Sequence, residues 1–473
     1  MAPPNKVVLV AGVDSSTQSV KVVIRNAVTG ELVRSGRAVH PSGTEVDPES
    51  WWIALQDAIT SAGGLADVAG ISIGAQQHGM VVLDKDGEVI RPALLWNDTR
   101  SAQAANDLND EYERLHSGEP IATAIGSRLV AAFTASKVRW LADYEPENAK
   151  RVAAIALPHD WLSWKLSGSQ ELSDLFTDRS DASGTGYFDP VTSQYRRDIL
   201  ALALRDDRQI ILPRVLGPFE IAAKTPSGVA IGVGCGDNAG AALGVGAQAG
   251  DVVVSLGTSG TAFSLSKTPT HDERGYVAGF DDATGNYLPL VCTLNAARIL
   301  DAGARILGLS LDAFGERALA AQPGAEGLTL LPYFEGERTP DRPDATGVLT
   351  GLSLSNSTPE NIARAMIEGM LCGLVDAVSQ LEIEDVAVSR ILIIGGAAKN
   401  QAIGPIASSL FGKPVFLPQE GEYVADGAAR QIAWALQGSE PMWNKSALTQ
   451  IQSEPATFVV NRYLSLVQKT ESW

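Results

Sequence analysis

The sequence predicts an α/β protein of two similar domains around a cleft, and three observations carry that expectation. Short Val/Ile-rich runs alternate with Ala/Leu-rich stretches along the whole length, as strands and helices do when they take turns. A chain of 473 residues exceeds what one ordinary core serves, so two or three domains are expected. An internal echo also appears: Val13-Asp14-Ser15-Ser16-Thr17 follows one apolar run, and Val254-Ser255-Leu256-Gly257-Thr258-Ser259 follows another in the second half. Common turn residues alone can produce so short an echo, so duplication is one of two readings at this point. The boundary is expected near Gly244, after an Ala/Gly-rich helix able to act as a hinge, giving domains 1–243 and 244–473.

The elements follow in order. Val7–Val13, Gly70–Ile73, Val229–Val233, Asp251–Ser255 and Arg390–Ile394 read as strands. The clearest helix begins at Thr358, with Pro359 in its first turn and Ile362, Met366, Met370, Leu374, Val378 and Leu381 along one stripe; its task is packing.

Composition narrows the function. A formal net charge of −18 disfavours nucleic-acid and anionic-membrane partners, because either polyanion meets an adverse average field. An anionic nucleotide in a local pocket remains compatible with it. Cys235, Cys292 and Cys372 are odd in number and far apart, which speaks against a disulfide framework and against zinc-ligand spacing. Buried free thiols in a reducing compartment are expected. The N-terminus shows no apolar signal core and no segment reaches membrane-spanning length, so a cytoplasmic protein is expected.

A strand that ends in a small-residue turn offers N–H groups and hydroxyls in a concave nest suited to phosphate oxygens. Ser15–Ser19 and Gly257–Thr261 both have this form, though each loop taken alone reads more readily as a plain hairpin turn. Asp14 weights the first toward chemistry, since a carboxylate beside phosphate needs a divalent cation between them; it reads as a magnesium-site residue acting through water. A third loop, Gly395-Gly396-Ala397-Ala398-Lys399-Asn400, follows an apolar strand and precedes a helix expected near Gln401; its glycines would admit a flat ligand, or Asn400 would cap the helix.

The Walker pattern GxxxxGK[ST] is absent, which removes the P-loop kinases. The glycine pattern Gly244-Val245-Gly246-Ala247-Gln248-Ala249 follows a helix rather than a strand, so a dinucleotide fold lacks its context. Asp237 and Asn238 stand at a glycine-rich strand-to-helix junction, where Asp237 is a candidate general base or the cap of a helix beginning at Asn238. Gln76-Gln77-His78-Gly79 and Trp96-Asn97-Asp98 form a second polar cluster, with His78 either a sugar-hydroxyl ligand or an ordinary loop histidine.

Taken together, these loops resemble the FGGY carbohydrate kinases. Phe133-Thr134-Ala135-Ser136-Lys137-Val138-Arg139-Trp140-Leu141 is similar to the family's first signature. Gly347–Leu352 followed by Asn361–Glu368 is similar to its second, and Leu331-Pro332-Tyr333-Phe334-Glu335-Gly336-Glu337-Arg338-Thr339-Pro340 to another hallmark. The resemblance implies two duplicated ribonuclease H-like domains, of the actin and hexokinase ATPase type, around a central cleft. It implies MgATP as phosphoryl donor and, most closely, D-xylulose as acceptor, phosphorylated to D-xylulose 5-phosphate.

Carried over by position, Asp14 and Asp237 lie near magnesium and Asp237 is the base. Ser16, Thr17, Gln18, Gly257 and Thr258 face ATP phosphates, while Gly395, Gly396 and Asn400 lie beside the adenosine. Gln77, His78 and Asn238 hold the sugar, joined by Asp98 and Arg128. Two departures stand out: Ser16 where the family commonly has glycine, and Gln77 where many members acting on xylulose have methionine. The expected partners are sugar and ATP, with neither nucleic acid nor membrane, and a homodimer is admitted. Ribulose, gluconate and glycerol kinases are the rivals within the family. An actin- or chaperone-like ATPase is the rival outside it, against which the polar Gln77-His78 and Asp237-Asn238 pairs argue.

Overall fold

The computed structural model describes residues 7–443 and 447–471. The chain forms two compact units, one from residues up to 246 with 267–288 and 421–445, the other from 247–266, 289–420 and 446 onward. The expected single cut after residue 243 lies close to the first crossing, but the chain crosses again around 267–288 and 421–445. Local sequence carries no mark of those returns, because they depend on contacts between segments remote in the chain.

In the first unit, Leu9–Ser15 pairs antiparallel with Ser19–Asn26, which pairs antiparallel with Leu32–Val39. On its other edge Leu9–Ser15 runs parallel to Val68–Ala75, then comes parallel Ala230–Gly232, and antiparallel Ile221–Lys224 closes the order. The second unit repeats this wiring. Asp251–Leu256 pairs antiparallel with Gly260–Ser264, and that with Tyr287–Thr293. On the other side Asp251–Leu256 runs parallel to Arg390–Ile394, followed by parallel Val415–Pro418 and antiparallel Leu448–Ile451. Six strands with the same order and the same senses in each unit make the echo a true duplication, and the expected fold class holds.

Observed strands sit within a residue or two of those expected. Leu9–Ser15 extends past Val13, so Asp14 is the penultimate residue of the strand rather than the first of the turn. The helix Pro359–Ile383 begins as expected, with the Thr358 hydroxyl accepting from the Asn361 N–H (3.2 Å). Met366, Met370, Leu374, Val378 and Leu381 are buried, while Ile362 is only partly so.

The first sheet is covered on both faces. Val13, Val20, Val22, Ile71 and Ile73 pack with Trp51, Leu55, Trp161 and Leu162 from the helices Pro48–Ser61 and Pro158–Ser167. Val10, Val23 and Ala230 pack with Ala425, Ala429 and Ile432 from Tyr423–Gln437. That last helix lies so close that a Cβ on Gly12 would stand 1.9 Å from the Ala425 carbonyl. It crosses Asp237–Val245 in the same manner, a Cβ on Gly427 standing 1.9 Å from the Gly240 carbonyl. Small residues therefore let backbone meet backbone around the helix that carries Asp237. Among the described residues no helix is long and apolar enough to cross a membrane.

Candidate active site

Strand register sets the first unit's chemistry. Asp14 and Cys235 flank Gly74 on opposite sides of the strand Val68–Ala75, so Asp14 and Asp237 emerge at neighbouring carboxyl ends of one sheet. Ala230 and Ile231 pair with Gly70 and Ile71, whereas Cys235 and Gly236 pair with Gly74 and Ala75. One extra residue thus lies between the two stretches, a bulge of the sort that re-aims side chains beside active sites. Gly234 takes φ +88° there, and a Cβ on it would meet the His159 ring at 2.4 Å. Gln431 clamps the bulge, accepting from the Gly234 N–H (3.1 Å) and donating to its carbonyl (2.8 Å).

Asp237 is the first residue of the helix Asp237–Val245, after an N-cap at Gly236, so it is not the cap. Its Oδ1 accepts from the Asn238 N–H and Nδ2, each at 2.8 Å. Burial, then the nearby charge of Asp14, push its pKa up to about 7. Burial likewise raises Asp14 to about 6, opposed by Lys21 at 3.7 Å. Asp14 Oδ1 is buried and has no hydrogen-bond partner among the described residues. A hard, oxygen-rich site with two mutually unfavourable carboxylates and one unsatisfied oxygen fits Mg²⁺.

Around this pair lies a polar cluster. Gln77 donates to the Ser180 carbonyl (3.0 Å) and accepts from Asn238 Nδ2 (3.4 Å), bringing these two of the expected sugar residues beside Asp237. His78 takes φ +67°, and its Nδ1 lies 2.6 Å from the Gly184 carbonyl, which assigns the proton to that nitrogen. Its ring packs against Phe133 and Phe280 at 5.0 and 5.6 Å. Thr17 turns toward the same cluster: its hydroxyl accepts from the Trp96 indole N–H (2.9 Å) and donates to Gln76 (3.3 Å).

Other expected residues have structural tasks. The Asp98 carboxylate is occupied by Thr44 (2.8 Å) and by Arg100 Nε (2.8 Å) and N–H (3.0 Å). Burial opposes these hydrogen bonds, yet they hold its pKa below the usual range. Arg128 pairs with Glu113 at 3.9 Å. Ser16 donates to the Ser19 carbonyl (3.0 Å) and lies outside the left-handed region, so serine costs no strain where the family commonly has glycine. Gln18 is exposed at the same hairpin turn.

A buried network behind Asp237 has no counterpart in the sequence reading. His159 Nδ1 lies 2.5 Å from Asp181 Oδ2, and Nε2 lies 3.3 Å from the Val233 carbonyl. Burial alone would lower its pKa, but Asp160, Asp181 and Asp178 together push it up to about 10. With both nitrogens spent as donors, His159, Asp160 and Asp181 form an ion-pair network rather than a metal site. Ser180, one residue before Asp181, accepts from the Gly236 N–H (3.0 Å). The sequence signal was Pro158-His159-Asp160 set in the apolar run Ala153–Leu162, with acids at 178 and 181.

The second unit holds the remaining loops. Gly257 and Thr258 are exposed at the hairpin between Asp251–Leu256 and Gly260–Ser264, the turn equivalent to Ser16–Gln18 in the first unit. Gly395 takes φ +98°, with a Cβ position 2.6 Å from the Leu256 carbonyl, so packing demands glycine there. Gly396 differs: it is exposed and no protein atom lies within 4 Å of its Cβ position. Nothing in the fold requires glycine at 396, which leaves room for a flat ligand against its backbone. Asn400 donates to the Leu311 carbonyl (2.8 Å) and accepts from the Ala402 N–H (3.0 Å), so its amide braces the loop. The helix after this loop is Ile403–Leu410, later than expected, because Gly396–Lys399 forms a 3₁₀ turn first.

Residues 9–256 match the model of the FGGY family of carbohydrate kinases, N-terminal domain, and residues 252–436 match that of the C-terminal domain. The chain is 41% identical to a xylulose kinase of Streptomyces coelicolor over 471 residues, covering 95% of this chain and 94% of that protein. A xylulose kinase of Escherichia coli is 33% identical over 89% of both chains. The crystal structure of xylulose kinase from Bifidobacterium adolescentis superposes with a TM-score of 0.89 at 47% identity, covering 98% of this chain and 99% of that one.

Proposed function

The chain belongs to the FGGY family of carbohydrate kinases, and from that premise we propose that it transfers the γ-phosphoryl group of ATP to D-xylulose, giving D-xylulose 5-phosphate and ADP. The observation that carries this reading is Asp237 at a strand-to-helix junction, linked through Asn238 to Gln77 and with its pKa raised to about 7. A carboxyl titrating near neutrality is matched to accepting a proton in the operating range. In this mechanism Asp237 takes the proton of the primary hydroxyl as that oxygen attacks the γ-phosphorus. Gln77, Asn238 and His78 orient the sugar by hydrogen bonds, which is where phosphoryl transfer gains most from protein.

Asp14, acting through water, and Asp237 would hold magnesium. When bound, the ion supplies positive charge against the phosphate oxygens. The hairpin turns Ser16–Gln18 and Gly257-Thr258 would face the phosphates, and Gly395-Gly396 with the brace of Asn400 would take the adenosine. Asp98 acts at one remove by holding Thr44 and Arg100. Three buried free cysteines fit the reducing cytoplasm in which we place the protein.

Two measurements test this reading. In a coupled assay across ketoses, polyols and sugar acids, D-xylulose should exceed glycerol and gluconate in kcat/KM by about 10²-fold or more, since absent hydroxyls leave buried polar groups unpaired. Preference for gluconate or glycerol would retain the family and remove the substrate. Gly396→Ala should raise the KM for ATP about tenfold or more while leaving the melting temperature unchanged, because the added Cβ meets nothing within 4 Å beyond its chain neighbours among the described residues. An unaltered KM for ATP would take this loop out of the nucleotide site.

A further inference from the structure

Lys137 is wholly enclosed, yet it forms no ion pair among the described residues. Its ammonium donates only to backbone carbonyls, those of Ala132 and His78, the latter at 3.3 Å. Burial drives its pKa down to about 7, with Asp98 opposing. An enclosed cation without a carboxylate is costly, and methionine would fill the same volume without that cost. The family signature that contains Lys137 has so far no task in the site.

The carbonyl it grips belongs to the one residue of the sugar cluster in a strained conformation. His78 is non-glycine with φ +67°, a state that persists only when its surroundings hold it. Three hydrogen bonds do so: Lys137 and the Thr134 hydroxyl (3.1 Å) on its carbonyl, and its own Nδ1–H on the Gly184 carbonyl. Phe133, in the same signature, packs on the ring. Both of these hydrogen bonds on the His78 carbonyl, and one wall of its ring, thus come from the first turn and the N-cap of the helix Thr134–Tyr144.

We propose that Lys137 is a positioning residue for sugar recognition, pinning the His78 carbonyl so that the imidazole is held ready for a sugar hydroxyl. This rests on the reading of Gln77 and His78 as sugar-binding residues. In the full-length protein, Lys137→Met should raise the KM for D-xylulose about tenfold or more and leave the KM for ATP and the melting temperature unchanged, or the latter higher. Combined with His78→Ala, it should add little further loss, because the restraint then has nothing to position. A merely structural lysine predicts the reverse: a lowered melting temperature and equal effects with and without His78.

Thr134→Val removes only the second hydrogen bond and should raise the sugar KM in the same direction, which keeps the test decisive if Lys137→Met fails to fold. An effect of His78→Ala on sugar KM together with silent Lys137→Met or Thr134→Val overturns the proposal alone. A silent His78→Ala removes the sugar-site reading and this proposal with it.

Discussion

Asp237→Asn is expected to lower kcat by about 10²–10⁴-fold while changing the KM for D-xylulose far less. Asparagine keeps the size of aspartate and can still accept from Asn238, as Asp237 Oδ1 does at 2.8 Å. What it cannot do is accept the hydroxyl proton. Stability should move the other way. The folded-state pKa, about 7, lies above the ordinary 3.8, so protonation favours the folded state. That stabilisation is present at low pH and lost as pH rises through about 7, where the ionised carboxylate faces Asp14 in a buried setting. At pH 8 the melting temperature of Asp237→Asn should therefore equal or exceed that of the parent. A kcat near the parent's would show that another group is the base, and a large fall in melting temperature would return Asp237 to a structural part.

Asp14→Asn is the second large effect expected. Asp14 has a buried oxygen without a partner among the described residues, and Lys21, its neighbour at 3.7 Å, is shared with Glu422 at 2.6 Å. Its carboxylate is thus poorly compensated by protein, which suits a residue whose counter-charge is a cation. Holding that cation through water, it should, when neutralised, weaken magnesium about 10–100-fold, read as a rise in the magnesium concentration for half-maximal activity. Excess magnesium should restore part of the lost turnover. The melting temperature of the metal-free protein should not fall, since a buried charge has been removed. An unchanged magnesium dependence would leave Asp14 as no more than the end of a strand.

The two carboxylates were legible because each stands at a break between a strand and a turn or helix, where an acid among glycines and serines has little packing to do. Gln77 and His78 were visible for the same reason. Lys137 was visible as a motif residue, but its task was not, because the carbonyl it holds belongs to His78, far away in sequence. His159 and Gln431 escaped notice: one sits in an apolar run and the other in a helix of ordinary composition, and each acquires meaning only through the bulge at Gly234. Asp98 and Arg128 joined the expected sugar residues only through the family resemblance. The fold instead turns Asp98 to Arg100 and Thr44, and Arg128 to Glu113.

By itself the sequence determined the α/β class, the strand ends that carry Asp14 and Asp237, the three small-residue loops, and the family signatures. Each of these depends on residues adjacent in the chain, whose periodicity and turn chemistry act locally. Only the tertiary structure decided that 267–288 and 421–445 belong with the first unit, that one extra residue before Cys235 aims Asp237, and that a buried lysine holds His78 in a strained state. Those outcomes rest on pairing register, backbone-to-backbone approach at Gly12 and Gly427, and hydrogen bonds between residues remote in sequence. No local pattern encodes such contacts, because each is set by the sum of packing across a whole sheet.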